Sequence, residues 1–187
     1  MNKLQNTIEI TDTGKLKTSE IVAQMRKKFK VYVYDEKNLD KSFPVPKKAT
    51  TRYFKNTQEA DEENKNKSYN DLEKEGKIKD CISLRERLLM ELIYFKENDK
   101  HLDEKNWTLC AGSRYPVGHV PRVYWSPGYG EVSVGWCSPS GACSFLRARF
   151  AVSKSSSSKL EPLEHDCQYK AKLDEIKKII KLPITNS

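Results

Sequence analysis

The feature that most constrains the fold is a change of hydrophobic period near residue 107. In VPRVYW (120–125) and EVSVGWC (131–137), apolar residues alternate with polar or small ones. This alternation gives each segment one apolar face, as a half-buried strand requires. Pro127 and Gly128 in the intervening SPGYG predict a turn, and FLRARFAVS (145–153) is a third strand candidate. The pattern predicts a small twisted antiparallel sheet.

Helical signals precede this region. The strongest covers 83–98, where Ser83 and Glu86 form a capping box in front of an apolar run. Residues 19–34 predict a short helix followed by a strand, KVYVY. Residues 55–80 are highly charged with sparse apolar anchors and predict either a solvent-exposed helix or a loop. The fold class expected is therefore α+β, with helices flanking the sheet.

Composition changes along the chain predict its domain organisation. Residues 1–16 are expected to be a flexible lead-in, and residues 17–153 to form one domain. Lysine returns abruptly at KSSSSK, so 154–187 should be a Ser-rich linker followed by a C-terminal helix. That helix has a narrow apolar stripe, and it could dock on the domain or pair with a second copy as a homo-oligomer.

Several classes of protein are disfavoured. No run of 18 apolar residues predicts a membrane span. The N-terminus lacks the apolar core of a signal peptide. Synthesis in the cytoplasm is expected, and association with a virion or surface display by a non-classical route stays open. The net charge of +8 comes from lysines interspersed with acidic residues, a pattern typical of a solvated surface.

Catalytic and metal-binding patterns are weak. The three histidines are scattered, and Cys137 and Cys143 have no second pair to complete a zinc site. Cys110 and His119 could form a nucleophile pair, but no third group to orient the base is evident. Phosphate-binding glycine motifs are absent. The sequence predicts a protein that is not an enzyme and that needs no metal or cofactor.

Residues 106–153 contain no Lys, Gln or Met, although the whole chain has 26 lysines. All three tryptophans and six of the eight glycines lie in this window. Asparagine codons randomised at their adenines encode Tyr, Ser, Gly, His, Cys, Arg and Phe, but never Lys, Gln, Glu, Met or Trp. The residues expected to face outward from the sheet obey this restriction, whereas the framework residues between them need not. The expected variable, ligand-binding positions are Tyr115, His119, Arg122, Tyr124, Ser126, Tyr129, Ser133, Gly135, Cys137, Ser138, Ser140, Gly141, Cys143, Ser144 and Phe145.

This pattern resembles the variable proteins of diversity-generating retroelements. In that family, adenine-specific mutagenesis during reverse transcription rewrites a segment carried on a C-type lectin fold. Here 109–114 (LCAGSR) is similar to the family's opening Leu-Arg-Gly-Gly-Ser-Trp strand, and 146–152 (LRARFAV) is similar to its closing Gly-Phe-Arg strand. The resemblance implies a C-type-lectin-like domain with its variable region at about 107–153. It also implies a diversified surface that recognises a macromolecular ligand.

Two function hypotheses follow. The first is a non-enzymatic display protein whose ligand is a protein, since Tyr, Arg, Ser and Gly are the residues that antibody paratopes favour. The alternative is a basic nucleic-acid-binding module that stacks bases on the aromatic residues of the sheet. In that alternative, phosphates would be bound by Arg114, Arg122, Arg147 and Arg149.

Overall fold

The computed structural model describes residues 6–152, which belong to the unit Met1–Ser153. The linker, the C-terminal helix and the oligomer contact expected over 154–187 lie outside the described residues. The helices are α1 (Thr18–Arg26), α2 (Leu39–Ser42), α3 (Tyr69–Lys74) and α4 (Leu84–Asn98). The strands are β1 (Thr7–Asp12), β2 (Lys30–Val33), β3 (Thr50–Lys55), β4 (Trp107–Leu109), β5 (Val120–Ser126), β6 (Glu131–Cys137) and β7 (Leu146–Ala148).

The fold is α+β, as the sequence predicts, with two sheets and several helices. Strands β1 and β3 form an antiparallel two-stranded sheet. The larger sheet has five strands in the order β2-β6-β5-β4-β7. Its pairings β6–β5 and β5–β4 are antiparallel, but β2–β6 and β4–β7 are parallel. The expectation of a purely antiparallel sheet is therefore wrong at both edges, where strands distant in sequence are added by crossover connections.

The main core lies between one face of the five-stranded sheet, the β1–β3 sheet and helices α1 and α4. The predicted cap of α4 is confirmed: the Oγ of Ser83 accepts from the backbone N–H of Glu86 at 3.3 Å, and Glu86 accepts in return from the backbone of Ser83 at 2.8 Å. Leu84, Leu88 and Met90 are completely buried. No helix in residues 6–152 is both long and apolar enough to cross a membrane.

The N-terminal strand departs from the flexible lead-in expected over 1–16. Strand β1 pairs with β3 along its whole length, from Thr7 opposite Lys55 to Asp12 opposite Thr50. Ile8 and Ile10 are buried in the main core. The alternation of these two isoleucines with polar residues is short, and it stabilises a strand only because β3 supplies its hydrogen-bonding partner.

A network of buried charges links α4 to the sheet. Arg87 donates to Glu91 at 2.7 Å and to Asp103 at 2.8 Å, and Arg149 donates to Asp103 at 2.7 Å. Each of these four side chains is at most 1% exposed. His101 Nδ1 lies 2.9 Å from Glu91. Buried charges are tolerated when they are paired and hydrogen-bonded, and in this network two guanidiniums face two carboxylates.

The charged segment 55–80 is neither a detached helix nor a free loop. It forms 3-10 turns and the short helix α3, and its apolar anchors Ala60, Tyr69 and Leu72 are buried. Tyr69 and Leu72 pack in a second, smaller core against strands of the five-stranded sheet, on the side away from the main core. This segment therefore covers part of the second face of the sheet.

Candidate ligand-binding face

The register of the five-stranded sheet separates two sets of side chains. On the core face, Val123 lies opposite Val134 and Trp125 lies opposite Val132, and the three valines are fully buried. The opposite side of the sheet, here called the outer face, carries the intervening residues. On it, Arg122 pairs with Gly135 and Tyr124 with Ser133. The alternation predicted for β5 and β6 is confirmed by this pairing.

Only part of the outer face is covered. Its Val120, Leu109 and Ala148 belong to the second core under α3. The part that does not lie under α3, here called the open half, is a continuous row across four strands. Tyr32 pairs with Ser133, Ser133 pairs with Tyr124, and β4 places Trp107, which also borders the second core, beside Tyr124. The Trp107 and Tyr124 ring centroids are 5.1 Å apart. Five residues define the open half: Tyr32, Trp107, Arg122, Tyr124 and Ser133.

Arg122 occupies the centre of the open half. Its guanidinium carbon lies 4.1 Å from the centroid of Trp107 and 5.6 Å from that of Tyr124, so the cation rests on an aromatic platform. Within residues 6–152 its Nε is buried without a hydrogen-bond partner. Leaving a buried donor unsatisfied costs about 1–3 kcal/mol. The site therefore holds a positive group whose hydrogen-bonding capacity is not used inside the domain.

Gly135 makes room for this arginine. A Cβ added at Gly135 would lie 3.4 Å from Nε of Arg122, at the limit of ordinary van der Waals contact. Any longer side chain would compete with the guanidinium for the same space. The nearest acidic residue along β6 is Glu131, which lies four residues from Gly135 and so about 13 Å along the strand.

Two loops extend the open half. The turn between β5 and β6 carries Tyr129, which is 78% exposed, and is closed by backbone hydrogen bonds to the carbonyl of Ser126. The loop before β7 ends at Phe145, which is 55% exposed and whose ring centroid is 6.0 Å from that of Trp107. The predicted residues Ser138, Ser140 and Ser144 are exposed on this loop, and Gly141 is half-buried there.

Tyr115 is not on the surface predicted for it. It lies in the loop after β4, is 5% exposed and packs edge-to-face on Phe43 with ring centroids 4.8 Å apart. Its hydroxyl has no partner within the described part of the chain, and burial raises the pKa of Tyr115 to about 12. Tyr115 is therefore not on the ligand-binding surface predicted for it, because a loop side chain without periodicity can turn into the core.

Two further predicted residues lie where their surroundings limit access. His119 stacks on Trp136 at 3.9 Å between ring centroids, and Trp136 packs against the main core, so His119 is separate from the open half. Ser133 has the predicted orientation but is only 8% exposed, because Tyr32 and Tyr124 flank it on the neighbouring strands.

Two residues of the open half are not among the predicted positions. The codon pattern excludes Trp107, because a mutated asparagine codon cannot encode tryptophan, but a half-buried framework residue can still border a binding surface. Tyr32 lies in KVYVY, where the alternation with the buried Val31 and Val33 already predicts an exposed tyrosine. The sequence pattern lacks the information that β2 joins the sheet beside β6.

The cysteines do not form a reactive or metal-binding group in residues 6–152. Cys137 and Cys143 are half-buried and pack against the second core, and burial raises the pKa of Cys137. Cys110 is fully buried in the main core, and burial raises the pKa of its thiol. No group of three or more His, Cys, Asp and Glu side chains in the described range could hold a metal ion.

The four arginines proposed as phosphate contacts are not brought together. Arg149 is buried and ion-paired to Asp103, so it cannot reach a ligand. Arg147 pairs with Glu62 and donates to the carbonyl of Ala60. Arg114 lies over the ring of Tyr69. Arg122 alone of the four combines a place on the open half with unused hydrogen-bonding capacity.

No protein-family model, no curated protein and no solved structure matches the chain.

Proposed function

We propose that this is a non-enzymatic recognition protein that binds a macromolecular ligand, most directly another protein, on the open half of the outer face and its two loops. The observation that carries the proposal is the unpartnered Arg122 on the half-buried aromatic platform of Trp107 and Tyr124, which exposed Tyr32, Tyr129 and Phe145 surround. Trp, Tyr and Arg are the residue types that contribute most often to protein–protein binding energy.

We further propose that the surface is diversified, on a C-type-lectin-like domain similar to the variable proteins of diversity-generating retroelements. The division of residue types between the two faces supports this. Trp125 and Trp136, which a mutated asparagine codon cannot encode, lie on the core face, whereas positions 122, 124, 133 and 135 on the outer face hold residues that it can encode. Trp107 and Glu131, which share the outer face, belong to the framework. A rigid core combined with an exchangeable face is what such a display protein requires.

The coding DNA tests the diversification. We expect a near-copy of codons 107–153 close to a reverse transcriptase gene, with adenines at the codons for Arg122, Tyr124, Tyr129 and Phe145. Codon 115 should be identical in both copies, because Tyr115 belongs to the core. A gene without such a copy would remove the diversification from the proposal.

A displayed library tests the face itself. Codons 122, 124, 126, 129 and 145 are randomised as NNT, and the cells are sorted for resistance to protease as a measure of folding. Most members should stay folded, because none of these five side chains belongs to either hydrophobic core, and the large losses of stability come from core substitutions. The matched library randomises 123, 125, 132, 134 and 136, and most of its members should unfold. Equal losses in both libraries would contradict the assignment of the face.

Nucleic-acid binding is not favoured by the arrangement. Such proteins contact several phosphates with clustered cations, and each contact contributes to the salt dependence of binding. Of the arginines in β4–β7 and their loops, Arg147 and Arg149 are ion-paired within the domain. Arg114 lies over Tyr69, apart from Arg122, so the open half presents one guanidinium, which is too few cations for a groove that binds a phosphate backbone.

A further inference from the structure

We infer that the open half recognises an acidic side chain of its protein ligand, with the carboxylate bound by Arg122 and the flanking apolar groups packed on Trp107, Tyr124 and Phe145. The inference rests on the proposed function and adds the chemical class of the residue that anchors the ligand.

The geometry of Arg122 selects a planar anion. A guanidinium whose carbon lies over an aromatic ring can still donate N–H groups in its own plane, and in Arg122 the edge that carries Nη1 and Nη2 is the part not buried. A carboxylate matches this edge with two parallel hydrogen bonds. Trp107 supplies the stack at 4.1 Å, and Gly135 leaves the opposite position without a side chain.

The charge around Arg122 is not balanced inside the domain. Its cross-strand neighbours are Leu109 and Gly135, neither of which carries charge. Within residues 6–152 it makes no ion pair, in contrast to the buried arginines Arg85 and Arg87, which both have carboxylate partners. A carboxylate from a ligand would therefore give Arg122 the ion pair that residues 6–152 do not supply.

The surroundings favour a protein over a phosphate polymer. Arg122 is a single cation, whereas the ring of Trp107 beside it adjoins two further rings, those of Tyr124 and Phe145. Such a site offers one charged contact and a large apolar area. An Asp or Glu between apolar residues fits this combination, and repeated phosphates do not.

The test uses two blocked peptides, acetyl-Phe-Glu-Phe-amide and acetyl-Phe-Gln-Phe-amide, added to the full chain. Binding is followed by NMR through the Nε–Hε signal of Arg122 and the backbone signals of Tyr124 and Ser133. We expect the Glu peptide to bind at least about tenfold more tightly than the Gln peptide. Hydrogen bonds to charged groups stabilise a complex more than hydrogen bonds between neutral groups, and the difference in free energy corresponds to about this ratio of dissociation constants.

Two substitutions test the role of Arg122 by different routes. Arg122→Gln should reduce the Glu-to-Gln affinity ratio to about one. Gly135→Asp should place a carboxylate opposite Arg122 within the domain and so reduce the same ratio, while Gly135→Asn measures the steric effect of a side chain of that size. Circular dichroism checks that each variant is folded, and Gly135→Asp keeps the test decisive if Arg122→Gln unfolds.

Each other outcome has a definite meaning. Equal affinity of the wild type for both peptides, with shifts on the open half, would overturn the acidic anchor and leave the proposed function standing. No shift at the open half at about 10 mM of either peptide, a concentration that detects millimolar binding, would overturn the inference, and the library and the coding DNA would still judge the function. Tighter binding of single-stranded oligothymidylate than of the Glu peptide at Arg122 would replace the protein ligand by a nucleic acid.

Discussion

Replacing Asp103 by Asn is expected to destabilise the domain strongly, although the two side chains have nearly the same shape. Asp103 is fully buried and accepts hydrogen bonds from both Arg87 and Arg149. The substitution would leave two buried guanidiniums with Glu91 as the remaining carboxylate of the network. Removing one partner of a buried ion pair costs about 3–5 kcal/mol. For a domain of this size, that loss lowers Tm by roughly 10 °C or more.

The backbone does not confound this substitution. Asp103 has a positive φ of 57°, a left-handed conformation that Asn adopts as readily as Asp. Asp99 at the end of α4 has a φ of 52° and is exposed. Asp99→Asn therefore makes the same chemical change in the same backbone conformation without burial, and it should alter the free energy of unfolding by about 0.5 kcal/mol or less.

The effect has a defined pH dependence. Burial opposes ionisation of Asp103, but Arg149 and Arg87 together outweigh burial and lower its pKa below the ordinary 3.8. A carboxyl whose pKa is lowered by folding stabilises the protein above its unfolded pKa, and this contribution is lost as the pH falls through the folded pKa. The difference between wild type and Asp103→Asn should be complete at about pH 7 and shrink below about pH 4.

Urea unfolding followed by tryptophan fluorescence measures these free energies across the pH series. A difference below about 1 kcal/mol between wild type and Asp103→Asn at neutral pH would refute the argument, because it would be no larger than for an average point substitution. A large loss in Asp99→Asn as well would show that the conformation, and not the buried charge, is responsible.

Three other substitutions or reactions test separate parts of the structure. Ser83→Ala should lower the free energy of unfolding by about 1 kcal/mol through loss of the cap of α4, and an unchanged urea midpoint would contradict the capping box. Tyr115→Ala should lower the free energy of unfolding by about 3–5 kcal/mol, because it truncates a core side chain, whereas Tyr129→Ala should leave Tm unchanged. Similar Tm values for the two variants would show that Tyr115 is not part of the core. Burial raises the pKa of Cys81 to about 12, so mass spectrometry after brief iodoacetamide treatment at about pH 8 should find Cys81 and Cys110 unmodified in the native protein and alkylated in urea. Rapid alkylation of either thiol without urea would show that its part of the core opens readily.

Local signals in the sequence predict several elements correctly. The period of two in 120–137 is confirmed as the hairpin β5–β6 with valines on its core face. The capping box at Ser83 is confirmed as the start of α4. Such features depend on residues within one strand or one helical turn, so they can be read without the rest of the chain.

Contacts between distant segments account for what the sequence does not predict. The pairing of Arg87 with Glu91 lies within one helical turn, but Arg87 also pairs with Asp103, which binds Arg149 as well, and these contacts join segments that are distant in sequence. Arg149 is expected from the sequence to face a ligand for the same reason: its buried partner is far away in sequence. Tyr115 has no periodicity to indicate its direction, and Phe43, which receives it, lies in another part of the chain.

The sequence by itself determined which side chains share a face of the hairpin, because alternate residues of a strand point in opposite directions whatever surrounds them. Tertiary structure decided which of those side chains can meet a ligand. The segment 55–80 covers one part of the outer face with Tyr69 and Leu72, and β2 adds Tyr32 to the part left open. Burial is a property of the whole packing arrangement, so Arg122 became a candidate anchor only when the fold placed Trp107 beneath it and no carboxylate beside it.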